Sequence, residues 1–171
     1  MANNSQKTKQ MAADQEFLTF MLDSEEFGVD ILSVKEIRVW SEVTEIPDTP
    51  SYLKGVINLR GVIIPIVDLR ERFNRIAKEY DATTVVIVLR TINHEQNSEV
   101  MVGIVVDAVS EVYKLPLQHI RPSPDFGNSI DTKFVTGMAT IDEKIVILLD
   151  SSKLLDANEL YSVTSQTRAV S

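Results

Sequence analysis

Residues Tyr52 to Phe73 read YLKGVINLRGVIIPIVDLRERF. Val56, Ile57 and Leu59 form one apolar run, Arg60-Gly61 interrupts it, and Val62, Ile63, Ile64, Ile66 and Val67 form a second. Two short β-branched runs flanking a residue pair that contains glycine predict a β-hairpin. Asp68 then precedes LRERFNRI, where Leu69, Phe73 and Ile76 share one side and Arg70, Glu71, Arg72 and Arg75 the other. A helix capped by Asp68 is expected there.

The pattern recurs downstream. Phe134 to Leu155 lies over Tyr52 to Phe73 at an offset of 82 residues, pairing Tyr52 with Phe134, Gly55 with Gly137 and Asp68 with Asp150. Gly28 to Ile37 lies over Gly103 to Val112 at an offset of 75. Four of the six glycines therefore fall in matched pairs. Such a duplication predicts two similar β modules, each too small to bury a sufficient core alone, packed on one another. Short strands joined by turns, without strand-helix-strand crossovers, favour small barrels over a parallel sheet. The sharpest difference between the repeats is at the hairpin tip, where Asp142-Glu143 replaces Arg60-Gly61. The fold does not require that arginine. Either the turn varies freely in solvent, or Arg60 presents a guanidinium on a rigid turn to a carboxylate such as Glu36 or to a partner group.

Around this frame, residues 1–14 carry no periodicity and are expected to form a mobile tail, residues 15–157 one domain, and residues 158–171 a polar C-terminal tail. Phe17, Leu18, Phe20 and Leu22 predict a first strand and Phe27, Val29 and Ile31 a second. Ile31, Val34 and Ile37 fall at helical spacing, which predicts about two helical turns before Trp40. Pro47-Asp48-Thr49-Pro50 is a stiff connector. Thr83 to Leu89 and Val100 to Val106 predict another antiparallel pair around a polar loop from Asn93 to Glu99. Residues 117–133 form a long exposed loop displaying Phe126, and a last hairpin, Phe134 to Ile141 with Lys144 to Leu149, precedes a short helix from Asp150 to Leu155.

Composition narrows the chemistry. The 171 residues are 44% hydrophobic and carry a formal charge of -8, so nucleic-acid binding would need a local basic patch that the sequence does not supply. There is no cysteine, hence no disulfide, thiolate metal site or thiol nucleophile. The N-terminal segment lacks the apolar core of a signal peptide, and the apolar runs are far shorter than the roughly 20 residues a membrane helix needs, so a cytoplasmic protein without membrane insertion is expected. His94 and His119 lie in separate loops without a metal-ligand pattern, and the glycines form no phosphate-binding loop. Ser33, Ser110 and Ser123 lack a histidine placed to activate them. Asp30, Asp68, Asp107 and Asp150 stand in no Asp-Thr-Gly or Asp-Ser-Gly turn. A cap explains Asp68 and Asp150. No cofactor or catalysis is expected, and a binding protein is favoured over a small hydrolase using Asp30 and Asp107. Val34, Val39, Trp40 and Val43 among Lys35, Glu36, Arg38 and Glu42 have the composition of an interface with an apolar centre and a polar rim, although Val34 and Ile37 also suit a core.

FGVDILSVKEI, IPDTPSYLKGVINLRGVIIPIVDLRERF, TTVVIVL, VGIVVDAVSEV, HIRPSP and the final hairpin with its LLD together resemble the CheW family of chemotaxis coupling proteins, from about Phe17 to Leu155. The resemblance implies a mainly β fold of two intertwined five-stranded Src-homology-3-like barrels with a few short helices. It implies an adaptor that joins the cytoplasmic tip of chemoreceptors to the regulatory domain of the histidine kinase CheA, with other CheW copies as further partners in rings. Receptor-binding positions matching the family are Val34, Glu36, Ile37, Arg38, Arg60 and Val112, with Glu36 and Arg60 as a salt bridge. Kinase-binding positions are Val43, Thr44 and Lys54 on one face and Arg121, Asp125 and Phe126 on another. Val39-Trp40 and the long loop from Thr91 to Glu99 depart from the common family pattern. The related CheV family adds a receiver domain, which is not expected in this chain. A CheW-like scaffold of another receptor-kinase pathway remains the alternative.

Overall fold

A computed structural model describes residues 14–93, 97–122 and 130–154. The chain forms β1 (Asp14–Leu22), β2 (Glu25–Asp30), a 3-10 turn (Ile31–Ser33), β3 (Val34–Val39), β4 (Leu53–Leu59), β5 (Val62–Asp68) and the single-turn α1 (Leu69–Arg72). There follow β6 (Val85–Asn93), β7 (Ser98–Val106), β8 (Ala108–Pro116), two 3-10 turns (Leu117–His119 and Thr132–Phe134), β9 (Val135–Ile141), β10 (Lys144–Leu149) and a 3-10 turn (Ser151–Lys153).

The strands build two mixed five-stranded sheets, β8-β1-β2-β10-β9 and β3-β6-β7-β5-β4. Exchanging each strand for its counterpart five places along the chain converts one order into the other. The duplication is thus expressed as an exchange: the hairpin β1-β2 of the first repeat completes a sheet with β8, β9 and β10 of the second, and β6-β7 completes the sheet of β3, β4 and β5. The parallel pairs where the repeats meet are β2 with β10, in register Gly28↔Leu148, and β5 with β7, in register Ile66↔Gly103. A Cβ on Gly28 would stand 3.0 Å from the Leu148 side chain, and one on Gly103 2.6 Å from that of Ile66. That close approach accounts for the first matched glycine pair.

The main core lies between the sheets and takes Leu18, Phe20, Phe27 and Val29 from one and Val67, Ile87, Leu89 and Ile104 from the other. A run of rings threads it, Phe20 to Phe27 at 6.0 Å, Phe27 to Phe73 at 5.9 Å and Phe73 to Phe134 at 5.4 Å between centroids. Each such side chain contributes roughly 2–3 kcal/mol by leaving water. Each sheet also carries a smaller cluster of its own, around Ile64, Ile66, Val86 and Val88 in one and Phe17, Leu115, Val146 and Leu148 in the other. Ile64 to Val67 are consecutively buried because both faces of the sheet are covered. The two-fold relation extends to the seam: the Arg72 guanidinium lies 4.5 Å from the Tyr52 ring and 5.0 Å from the Phe134 ring, the matched aromatic pair.

Several local expectations are corrected. The helix predicted from Ile31 to Trp40 is a 3-10 turn followed by β3. A register shift between Val34 and Glu36 adds one residue to the strand, so Val34 pairs with Leu89 and Ile37 with Ile87. A bulge therefore brings residues three apart onto one face, which imitates helical spacing. The same irregularity occurs between the strand partners Val109↔Phe20 and Val112↔Leu18, in β8, a strand whose charged Glu111 and Lys114 concealed it in the sequence. Asp14, assigned to the tail, pairs with Pro116 at the start of β1. The expected loop from Asn93 to Glu99 is shortened by ladder pairs Ile92↔Glu99 and Asn93↔Ser98. The helix after Asp68 lasts one turn, and Ile76 is 89% exposed rather than packed. The segment from Asp150 is a 3-10 turn rather than a longer helix. Phe126 lies outside the described residues.

Candidate functional site

The tip of the β4-β5 hairpin is a two-residue turn in which Arg60 has φ 53° and Gly61 φ 86°. Positive φ at both central positions matches the strand twist and is the geometry for which glycine is favoured. Asn58 Oδ1 accepts from the Gly61 amide at 2.8 Å, and the Leu59↔Val62 pair closes the ladder beneath. The Arg60 side chain stays 76% exposed, yet its Nη1 donates to Glu36 Oε2 at 3.1 Å. Arg38 Nη1 approaches the other oxygen, Glu36 Oε1, at 3.5 Å. One carboxylate on β3 thus receives two guanidinium groups. An exposed pair of this kind contributes about 0–1 kcal/mol, so the arrangement does little for stability and much for display.

The matched turn keeps the backbone and discards the chemistry. Asp142 and Glu143 take φ 49° and 66°, in the conformations of Arg60 and Gly61. The position of Glu36 holds Glu111, so the two matched positions both carry carboxylates. Burial and the carboxylates of Glu111, Glu26 and Asp142 hold the Tyr113 phenol above its usual range.

The bulges in β3 and β8 decide where the apolar candidates face. Val34 and Ile37 pair with Leu89 and Ile87, and Val109 and Val112 with Phe20 and Leu18, all four partners being residues of the core between the sheets. β3 and β8 are edge strands, so this row runs past the core: Ile37 is 46% and Val112 50% exposed. The predicted receptor positions Val34, Ile37 and Val112 therefore lie on the faces the two sheets turn toward one another. Glu36 and Arg38 alternate with them on the other side of β3 and meet Arg60 there.

The positions assigned to the kinase separate by repeat. Val43 is half-buried against the cluster of the β3–β7 sheet, and Thr44 is exposed, exchanging backbone bonds with Val56 at 3.0 and 2.9 Å. Arg121 exchanges the corresponding pair with Met138 at 2.9 and 2.8 Å. Val56 and Met138 are matched positions, so Thr44 and Arg121 are two-fold equivalents. Gly55 and Gly137 make room for them: a Cβ on Gly55 would collide with the Thr44 carbonyl oxygen, and one on Gly137 would stand 2.8 Å from that of Arg121. Lys54 is engaged internally by Glu71. Asp125 lies outside the described residues.

The aspartates considered for catalysis have structural tasks. Asp30 Oδ1 accepts from Leu32 N at 3.0 Å and Oδ2 from Gln15 Nε2 at 2.8 Å. Asp68 caps α1 through Glu71 N at 3.2 Å and accepts from the Tyr80 hydroxyl at 2.5 Å. Asp150 accepts from Ser152 N at 3.0 Å. Asp107 accepts from Asp23 N at 2.7 Å and from Arg70. Sequence reasoning missed Arg70, which was placed on a polar helix face. It is buried between Asp23 and Asp107, tying the β1-β2 turn to the β7-β8 turn; burial opposes its charge, but the two carboxylates outweigh that and hold its pKa up. Trp40 is neither free nor fully buried: its ring lies 4.3 Å from that of Tyr80, over the edge of the sheet's own cluster. His94 lies outside the described residues, and His119 is exposed in a 3-10 turn. Among the described residues there is no group of histidines and carboxylates that could hold a metal, and no helix long and apolar enough to cross a membrane.

Comparison with known proteins returns one family over nearly all of the described fold. The CheW-like domain matches residues 16–159. A chemotaxis protein CheW of Klebsiella aerogenes is 47% identical over 155 residues, covering 91% of this chain and 90% of its own length. A probable chemotaxis protein CheW of Rhizobium etli is 35% identical over 146 residues, covering 85% and 90%. The crystal structure of the scaffolding protein TtCheW from Thermoanaerobacter tengcongensis superposes with a TM-score of 0.74 at 34% identity, covering 85% of this chain and 90% of that one.

Proposed function

Because the chain belongs to the family of CheW-like domains, we infer that it is a non-enzymatic adaptor of chemotaxis signalling that couples chemoreceptors to the histidine kinase CheA. The observation that carries the receptor half is the Arg60–Glu36 pair, displayed on a rigid turn that the second repeat builds without either its cation or its pairing. Next to it, Val34 and Ile37 on the edge strand of one sheet and Val112 on the edge strand of the other continue the apolar faces that the sheets turn toward the shared core, the form of surface into which an amphipathic helix can lie. The receptor's helical tip occupies this seam, with Val34, Ile37 and Val112 meeting its apolar side and Glu36, Arg38 and Arg60 its polar side. The two closed barrels of the resemblance are the natural extension of two sheets that each carry a cluster of their own.

The kinase regulatory domain is assigned to two faces, Val43, Thr44 and Lys54 on one and Arg121, Asp125 and Phe126 on the other, with Thr44 and Arg121 as two-fold equivalents. The backbone pairing that Thr44 and Arg121 share, one in each repeat, suits partners that are themselves of similar fold, which includes further CheW copies in a ring. The protein works in the cytoplasm and is recruited to membrane-associated arrays through the receptor. The hydrolase alternative loses its candidates, since Asp30 and Asp107 are already hydrogen-bonded to backbone and side chains.

The test is binding of the full chain to a soluble dimeric cytoplasmic fragment of a methyl-accepting receptor and, separately, to a CheA regulatory domain. Arg60→Ala is expected to weaken the first and leave the second. Equal binding of the receptor fragment by parent and variant would remove Arg60 from the site. Capture of another class of receptor and kinase, with no response to these two, would place the chain in a different pathway.

A further inference from the structure

We propose that Asn58 is the positioning residue for the Arg60 display, an inference that rests on Arg60 being part of the receptor site. The turn needs positive φ at two successive residues, and Gly61, at φ 86° with open space around its Cα, has no side chain to hold it there. Glycine adopts this conformation readily and leaves it as readily. The Asn58 amide supplies the missing restraint. Its Oδ1 receives the Gly61 N–H at 2.8 Å, a side-chain bond across three residues of the kind that fixes turns.

Asn58 belongs to β4, whose backbone is held by the β5 ladder from Leu53 to Leu59, so the restraint is anchored in the sheet rather than in the loop. Asn58 is itself exposed on the strand and contributes nothing to either core. Its effect passes through one atom pair: with the turn fixed, the Arg60 Cα projects its guanidinium toward Glu36, which is 3.1 Å away and held in place by β3. Without that bond the arginine keeps its charge but samples several directions, and binding must order it. Thr140, with a shorter side chain, stands at the matched position in the second repeat, where the turn carries no arginine to aim.

The full-length chain is tested as Asn58→Ala, Asn58→Asp, Arg60→Ala and Asn58→Ala/Arg60→Ala, against the soluble receptor fragment and a CheA regulatory domain. Asn58→Ala is expected to weaken receptor binding about three- to tenfold, the range of one lost hydrogen bond, with kinase binding and the melting midpoint unchanged. Asn58→Asp, which keeps the acceptor, is expected to restore binding. In the Arg60→Ala background the Asn58→Ala effect is expected to vanish, because nothing remains to be positioned. Gly61 amide exchange is expected to accelerate in Asn58→Ala while Ile64 and Ile66 stay protected, a measurement independent of partners. Full receptor affinity in Asn58→Ala with a defect in Arg60→Ala would overturn the positioning role alone. The same loss in both backgrounds would also overturn it, whereas no defect in Arg60→Ala would overturn the site and the inference together.

Discussion

Arg60, on the β4-β5 turn, and Glu36, on β3 at the other end of the same sheet's strand order, are joined at 3.1 Å, and the two positions equivalent to them in the other repeat hold Asp142 and Glu111. The same backbone therefore ends once in a neutralised pair and once in two negative charges. Since the Arg60 side chain is 76% exposed, Arg60→Ala is expected to change the unfolding free energy by less than about 1 kcal/mol in urea titrations. A larger loss would show that the pair is structural.

The two glycines of the β4-β5 hairpin are unequal in what they tolerate. Gly55 has φ 148° and faces the Thr44 carbonyl, whereas Gly61 has φ 86° with open space around it. Gly61→Ala is expected to cost about 1 kcal/mol, from backbone strain alone. Gly55→Ala combines strain with a backbone collision and is expected to cost more than about 3 kcal/mol, read as a fall in soluble yield and in the denaturation midpoint. Equal, mild effects at both positions would contradict the close approach of residue 44 to β4.

Arg70 is a buried cation between two carboxylates, with its side chain 8% exposed. Arg70→Ala leaves Asp23 and Asp107 facing one another without it and is expected to lose about 3–5 kcal/mol. Arg70→Ala with Asp107→Asn should recover part of that loss, because Asp107 is the carboxylate left without its cation while Asp23 keeps Arg75 at 3.3 Å; a double variant as unstable as the sum of its parts would argue that the carboxylates do not act through Arg70.

Tyr80 gives the fold a dependence on alkaline pH. Burial, with the hydrogen bond to Asp68, pushes its phenol far above the ordinary value of 10.0. Above about pH 10 the unfolded chain releases a proton that the folded chain retains, so stability is expected to fall as the pH rises. In Tyr80→Phe that component should disappear from the difference between denaturation curves at pH 9 and pH 11, while stability at neutral pH drops by about 1–3 kcal/mol because Asp68 loses a donor. An unaltered alkaline slope in Tyr80→Phe would assign the dependence to other groups.

The duplication was legible because it is written in residues that backbone geometry singles out. Gly28, Gly55, Gly103 and Gly137 mark places where strands of different repeats, or a passing loop, come too close for a Cβ, and Asp68 and Asp150 cap matched turns. The exposed cation on the β4-β5 turn was legible for the opposite reason, since the second repeat dispenses with it. Strands β3 and β8 were hidden because a bulge lets Val34 and Ile37, or Val109 and Val112, share a face three residues apart. Ion pairing was hidden too: nothing in the spacing of Asp23, Arg70 and Asp107 indicates that they meet.

The sequence by itself determined that two β repeats of one plan exist, that each has a hairpin tip and a capped turn, and that only the first tip carries an arginine. Periodicity and turn chemistry are local, and they survive in one dimension. Only the tertiary structure decided that the repeats exchange hairpins, that Ile37 and Val112 come to edge strands of two different sheets, and that Asn58 holds the Gly61 amide beneath the Arg60–Glu36 pair. Those relations follow from which strands pair and in which register, and pairing is settled by burial of Phe20, Phe27, Ile87 and Leu89 in a core that neither repeat can close alone.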